Sequence, residues 1–149
     1  MKHVWSLLCQ KSSIDVESNQ LSLFNCLEEV NINLENTDAL KNNLVIPVEF
    51  QLVSYWSREK AETEINLDSI GELIDADAKV INTFNNSFPI KQGILRFRNR
   101  TNIQGLPITG PGRYYLRLYQ KISLDKREMV AELPLDVKIS YKIMEIPKK

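Results

Sequence analysis

The sequence predicts an all-β protein, an antiparallel β-sandwich of about eight strands of the immunoglobulin-like or C2-like type. Apolar residues alternate with polar residues at a period of two along most of the chain, which is typical of strands with one buried face. Turn-forming residues separate these segments, and the strand–helix–strand alternation that builds a parallel sheet is missing. Because no linker or repeat divides the sequence, we expect a single domain over residues 1–149.

The strands follow from this alternation in chain order. We expect them over residues 3–10, 20–30, 46–56, 61–68, 78–84, 93–100, 112–121 and 129–143. The last is the clearest, since Leu135, Val137 and Ile139 alternate there with the charged residues at 136 and 138. Pro134 interrupts this run and cannot donate a ladder hydrogen bond, so it predicts an edge position, a bulge or a switch between two sheets.

The connections are predicted from turn-forming residues. Residues 109–112 read Thr-Gly-Pro-Gly, a strong turn signal, and residues 69–72 read Ser-Ile-Gly-Glu, which we interpret as a turn between two strands. Residues 15–19 are expected to turn the first strand back onto the second. Pro89 and Pro107 are expected in connections, where a missing N–H does no harm.

Composition limits the classes of protein that remain. The chain carries 19 Lys and Arg residues against 19 Asp and Glu residues, which excludes a generally basic nucleic-acid binder. The apolar run at residues 4–9 is too short for a signal peptide, so we expect a cytoplasmic protein. Cys9 and Cys26 are then expected to be reduced thiols packed as small apolar groups. A disulfide stays possible if their two segments pair as a hairpin.

The sequence predicts no enzyme and no cofactor. His3 is the only imidazole, and it lies at the start of the first strand, where a half-exposed structural role is expected. Nucleophilic catalysis needs a base beside the nucleophile, and zinc needs about four ligands. Cys9 and Cys26 lack the spacing of a zinc pair, and no glycine-rich phosphate loop is present.

An acidic group offers a calcium hypothesis. Asp75 and Asp77 follow Asp68, and calcium binds carboxylate oxygens that cluster on loops. A second acidic loop is missing, since residues 101–112 contain no acid. Solvated turn residues are therefore the favoured interpretation, and a C2-like module that binds calcium or anionic lipid is the alternative.

Arginine and tyrosine residues provide the candidate binding site. By the period of two, Arg96, Arg98 and Arg100 share one side of a strand, and a second strand carries another such set. That second set is Arg113, Tyr115, Arg117 and Tyr119. If the two strands are neighbours, these residues form one exposed patch, whereas pairing with glutamates of adjacent strands is the competing interpretation.

Several motifs resemble those of a bacterial family of small uncharacterised proteins. The opening reads Trp-Ser-Leu-Leu-Cys at residues 5–9 and Leu-Ser-Leu-Phe-Asn at residues 21–25, and residues 46–50 form a proline-led strand. Gly-Arg-Tyr-Tyr at residues 112–115 and a closing strand at residues 130–135 complete the likeness. The resemblance implies a β-sandwich domain of unknown function and carries over no catalytic or ligand residue.

The functional prediction is a protein-binding or self-associating module. Arginine and tyrosine are enriched at protein interfaces, so another protein, or a second copy of this chain, is the expected partner. A nucleic-acid platform on the same Arg/Tyr residues is a further alternative, which zero net charge disfavours. A membrane partner is not expected, because no stretch approaches the ~20 apolar residues of a membrane span. No small-molecule substrate is indicated.

Overall fold

Nine β-strands form most of the chain described by the computed structural model, which comprises residues 1–35, 38, 40 and 44–142. In chain order they are β1 (Lys2–Ile14), β2 (Leu21–Cys26), β3 (Glu29–Leu34), β4 (Leu44–Ser57), β5 (Ile65–Ile74), β6 (Val80–Ile90), β7 (Arg96–Ile108), β8 (Gly112–Lys121) and β9 (Arg127–Tyr141). Position 143, where the last strand was predicted to end, lies outside the described residues.

The strands form two sheets, which confirms the all-β sandwich. The four-stranded sheet has the order β2-β1-β4-β7 and the five-stranded sheet the order β3-β9-β8-β5-β6. Every pairing is antiparallel except that of β3 with β9, which is parallel and departs from the expectation. Strands β4 and β7 in one sheet and β5, β8 and β9 in the other correspond to B and E, and to C, F and G, of an immunoglobulin-type sandwich.

The core lies between the sheets and is formed by the alternate residues that the sequence pattern selects. On β4, Leu52 and Trp56 are buried, and on β8, Leu116 and Leu118 are buried against them in one cluster. Tyr114 at the start of β8 is fully buried, and its hydroxyl donates to the carbonyl of residue 110 at 2.8 Å. This bond to an upstream carbonyl is the tyrosine corner found in immunoglobulin-like sandwiches.

The turn expected at residues 69–72 is wrong, because β5 runs through it without a break. Gly71 faces the ring of Phe84 on β6, and a Cβ atom there would fall 2.0 Å from the ring's Cζ atom. The glycine therefore makes room for an aromatic side chain rather than a turn. The chain reverses after β5 instead, where Asp75 N–H donates to the Lys79 carbonyl at 2.9 Å.

The expectation that two prolines lie in connections is also wrong. Pro89 belongs to β6 and Pro107 to β7, and each strand is the last in its sheet. An edge strand tolerates proline because one side of its backbone has no partner. Residues 20–30 likewise form two strands rather than one, since β2 and β3 lie in different sheets. The turns at residues 15–19 and 109–112 are confirmed.

The β1–β2 hairpin bends back over the four-stranded sheet. Asn25 has a φ of 52°, a left-handed conformation that asparagine tolerates, and the strand pairing is interrupted there. Beyond the bend, Ser12 Oγ donates to Gln51 Oε1 at 2.6 Å, and Asn19 accepts hydrogen bonds from Arg98. The distal half of the hairpin therefore lies across the face of the sheet that points away from the core.

Candidate functional site

The outer face of the four-stranded sheet carries three arginines at one edge. Strand β7 places Arg96, Arg98 and Arg100 at alternate positions, and Arg98 and Arg100 are register partners of Tyr55 and Val53 on β4. Alternate residues of a strand lie about 6.8 Å apart on one face. We call these three residues the arginine strip.

The arginine strip has no acidic partner among the residues that the structure describes. Arg98 Nη2 donates to Asn19 Oδ1 at 2.6 Å, and Arg98 Nη1 donates to the Asn19 carbonyl at 3.0 Å. The hydrogen-bond partner of Arg98 is therefore a neutral residue of the hairpin. Arg96 and Arg100 are exposed, and within the described part of the chain neither side chain has a hydrogen-bond or ion-pair partner. The strip thus presents positive charge to solvent.

A cavity of about 410 Å³ lies between the arginine strip and the hairpin. Trp5 and Tyr55 line it with their ring centroids 5.8 Å apart, and Arg96 and Arg98 line its cationic side. The tip of the hairpin completes it with Ser18, Asn19 and Leu21. Two aromatic rings beside two guanidinium groups can bind an apolar group that carries a negative charge.

The second predicted set lies on the opposite side of the sandwich. Arg113, Tyr115, Arg117 and Tyr119 belong to β8 in the five-stranded sheet. Strands β7 and β8 follow each other in the chain but lie in different sheets. The single patch that would follow if the two strands were neighbours therefore does not form.

On that opposite face the arginines are paired with acids. Arg113 Nε lies 2.7 Å from Asp136 Oδ1, and Arg117 Nε lies 2.6 Å from Glu132 Oε2, both across the β8–β9 ladder. The hydrogen bond from Arg113 lowers the pKa of Asp136 and raises the pKa of Arg113 itself. Glutamate pairing, the competing interpretation of the sequence, is thus found for Arg117.

The two remaining arginines are also satisfied. Arg127 Nη1 lies 2.5 Å from Glu72 Oε1, and its guanidinium carbon stands 4.2 Å from the centre of the Tyr119 ring. Arg58 donates to three backbone carbonyls, those of residues 63, 91 and 94, at 2.7 to 2.8 Å. These two arginines, like Arg113 and Arg117, thus have partners within the described part of the chain.

The three candidate calcium ligands do not converge. Asp68 lies within β5 and accepts a hydrogen bond from Ser87, whereas Asp75 and Asp77 lie in the turn after that strand. Asp75 is 3% exposed; burial would raise its pKa, but hydrogen bonds from Lys79 N–H, Thr109 Oγ1 and Asp77 N–H hold that pKa below its usual value. Among the described residues, no three His, Cys, Asp or Glu side chains are placed to hold a metal ion.

His3 belongs to a short polar chain inside the sandwich. Its Nε2 atom lies 2.7 Å from Ser6 Oγ, which donates to Ser54 Oγ at 2.8 Å. Since Ser6 gives its proton to Ser54, the imidazole donates to Ser6 and does not act as its base. The ring also stands edge-on to Trp56 with centroids 4.9 Å apart. This geometry indicates a structural histidine.

The two cysteines are partners across the hairpin. Cys9 on β1 and Cys26 on β2 face each other in the antiparallel register, and both are free thiols. Cys9 is fully buried, as expected for a small apolar group, but Cys26 is exposed, so that part of the expectation is wrong.

Sequence reasoning missed Trp5, Tyr55 and Asn19 as neighbours of the arginine strip. The period of two already places Tyr55 on the face opposite Trp56, but the bend of the hairpin leaves no periodic signal. Asn19 in the tip has a φ of 55°, and a polar turn residue of this kind is common in any loop.

The site therefore belongs to a β-sandwich with an arginine-lined edge and an aromatic cavity beside it. No protein-family model matches the chain, and no curated protein matches it significantly. Within the described residues, no helix has the length and apolar character needed to cross a membrane.

Proposed function

We propose that this protein is a non-enzymatic binding module whose arginine strip binds an acidic, extended segment of another protein. The observation that carries the proposal is a contrast between the two outer faces. Arg113, Arg117 and Arg127 of the five-stranded sheet each have a carboxylate partner, whereas Arg96 and Arg100 have none among the described residues.

The position of the strip on an edge strand suggests how the segment binds. Among the strands that the structure describes, β7 pairs only with β4, so one side of its backbone has no described partner and can accept a further strand. A peptide that adds to a sheet edge gains affinity from main-chain hydrogen bonds and specificity from alternate side chains. Carboxylates at alternate peptide positions would match the spacing of Arg96, Arg98 and Arg100.

The same charges argue against a second copy of the chain as the partner. If two copies joined edge to edge through β7, their arginine strips would lie beside each other. Like charges on facing strands are destabilising, and natural edge strands use charge to prevent such pairing. We therefore favour a different, acidic protein over self-association.

The aromatic cavity supplies an anchor next to the charges. Trp5 and Tyr55 are partly buried and line the cavity together with Arg96 and Arg98. Binding hot spots are enriched in tryptophan, tyrosine and arginine, because large rigid side chains gain contact area at low entropic cost. An apolar side chain of the partner, placed beside its acids, would enter here.

The proposal is tested with a fluorescein-labelled peptide of alternating Glu and Leu residues, measured by fluorescence anisotropy. The double variant Arg96→Glu and Arg100→Glu is expected to weaken binding about tenfold, because two exposed charge pairs together contribute about 1.4 kcal/mol. The matched control reverses Lys121 and Lys126 to Glu, which changes net charge equally at the far sheet.

Equal loss in both double variants would show a net-charge effect and contradict the proposal. Tighter binding of a single-stranded oligonucleotide than of the peptide at equal charge would favour the nucleic-acid alternative instead. Calorimetry with calcium, and flotation with vesicles containing phosphatidylserine, test the C2-like alternative in the same preparation. Binding of either would replace the proposal with a calcium or lipid module.

A further inference from the structure

Cys9 and Cys26 stand opposite each other where the β1–β2 hairpin begins its bend. Directly opposed residues of an antiparallel pair have Cα atoms about 4.5 to 5.5 Å apart. A disulfide requires Cα atoms about 4.4 to 6.8 Å apart, so the register meets this requirement without moving the strands.

The strand pairing changes on either side of the two cysteines. On one side, Leu27 N–H donates to the Leu8 carbonyl at 2.8 Å, which holds the strands together. On the other side, Asn25 adopts its left-handed conformation and interrupts the ladder, while its side-chain amide bonds to Gln10. The pair is therefore fixed at one end and adjoins an irregular segment at the other.

The two thiols differ in their access to solvent. Cys26 is exposed and lines a cavity of about 320 Å³ together with Leu7 and Pro134. Cys9 is fully buried, and burial together with the nearby Cys26 raises the pKa of its thiol. A soluble oxidant thus meets Cys26 first, and Cys9 can react only with the Cys26 sulfur itself, once that sulfur is part of a mixed disulfide.

We propose that Cys9 and Cys26 form a redox-active dithiol that closes to an intramolecular disulfide by exchange with a low-molecular-weight disulfide such as glutathione disulfide. The Cys26 thiolate attacks one sulfur of glutathione disulfide and releases one glutathione thiolate, which leaves a mixed disulfide on Cys26. The deprotonated Cys9 sulfur then attacks Cys26 Sγ and releases the second glutathione. The protein loses two protons and two electrons, and the oxidant becomes two glutathione molecules.

The bond joins the hairpin at its base. It closes a loop that contains the bend and the tip, where Asn19 holds Arg98 of the arginine strip. A disulfide of this kind stabilises mainly by restricting the unfolded chain. Oxidation is therefore expected to raise the midpoint of thermal unfolding by several degrees. It is also expected to restrict the hairpin whose tip bonds to Arg98.

The test is the intact mass of the folded wild-type protein after incubation with excess glutathione disulfide at pH 8. The expected product is a monomer about 2 Da lighter, which dithiothreitol returns to the starting mass. Cys9→Ser is expected to stop at the mixed disulfide, about 305 Da heavier, and Cys26→Ser to remain unmodified because Cys9 is buried.

A wild-type protein that keeps one glutathione on Cys26 would overturn the proposal, because Cys9 would then be unable to reach its partner. A disulfide-linked dimer would overturn it as well. The wild-type mass decides the matter even if a variant fails to fold. If oxidation left the midpoint of thermal unfolding unchanged, the expected stabilisation by the disulfide would be contradicted.

Discussion

At the scale of single residues, buried polar groups are paired in short hydrogen-bonded chains. His3 bonds to Ser6, Ser6 bonds to Ser54, and both serines are buried. Burying hydroxyl groups without partners would be costly, and this chain satisfies them one by one. Burial also lowers the pKa of His3, because a charged imidazole is poorly solvated there.

The lowered pKa of His3 makes stability depend on pH. As the pH falls below about 6.5, His3 is protonated in the unfolded chain but stays neutral in the folded chain, where its pKa is lower. The free energy of unfolding therefore falls. We expect the thermal midpoint to drop by about 1 to 3 °C between pH 7.5 and pH 5.5. The carboxylates with lowered pKa titrate at lower pH and do not contribute in this window.

The variant His3→Gln separates this effect from other causes. Its side-chain amide can still donate to Ser6 but cannot be protonated. The midpoint of the variant should be the same at pH 7.5 and pH 5.5, as measured by circular dichroism. An identical drop in both proteins would mean that another group titrates.

Removing the hydroxyl of Tyr114 tests how much the tyrosine corner contributes to stability. It donates to the Gly110 carbonyl and accepts from the N–H groups of Thr109 and Gly110 at 3.0 and 3.2 Å. We expect Tyr114→Phe to lower the free energy of unfolding by about 1 to 3 kcal/mol, because three part-buried backbone groups lose the hydroxyl of a fully buried side chain as their partner. Urea unfolding measures this, with Tyr115→Phe on the solvent side as the control, expected to change stability by less than about 0.5 kcal/mol.

At the scale of elements, the pairing of β5 with β6 depends on Gly71, whose lack of a side chain leaves room for the ring opposite it. The ring of Phe84 occupies the space beside Gly71, and an added Cβ would lie 2.0 to 2.5 Å from three of its carbon atoms. Ring and backbone would have to move apart, which would strain the pairing of the two strands.

Gly71→Ala is therefore expected to destabilise the protein by about 1 to 3 kcal/mol. The control is Gly110→Ala, whose Cβ would meet nothing within 4 Å and should change stability by less than about 0.5 kcal/mol. Urea unfolding of both variants gives the comparison. Equal stability of the two would contradict the packing explanation.

At the scale of the whole molecule, zero net charge conceals two unlike faces. The outer face of the five-stranded sheet joins its charges in pairs, including Glu29 with Lys138, which lowers the pKa of Glu29. The arginine strip on the other sheet has no acidic partner among the described residues. Charge there repels itself and is available for binding, whereas charge on the other face is internally balanced.

This division predicts different effects of charge reversal on stability for the two faces. Arg113→Glu with Arg117→Glu should lower the thermal midpoint, since each change places an acid beside Asp136 or Glu132. Arg96→Glu with Arg100→Glu should leave the midpoint unchanged or raise it, because it relieves repulsion along the strip. Calorimetry at low and high salt measures both, and salt should shrink the difference. A lower midpoint for the second pair would contradict the division.

Much of the fold could be predicted because alternation reports burial directly. Leu133, Leu135 and Val137 signalled their strand without tertiary information, and glycine and proline signalled the turn at residues 109–112. Gly71 was misassigned because a glycine that accommodates a neighbouring ring looks the same in sequence as a turn glycine. Pro89 and Pro107 were misassigned because only strand order shows which strands are edges.

The sequence by itself determined the all-β class and which residues share a face, since a strand turns successive side chains to opposite sides. It placed Arg96, Arg98 and Arg100 together for that reason. Only the tertiary structure decided that the second arginine set lies on another sheet, that Cys9 meets Cys26, and that the hairpin reaches Arg98. The physical reason is that pairing between strands depends on contacts far apart in the chain, which local periodicity does not encode.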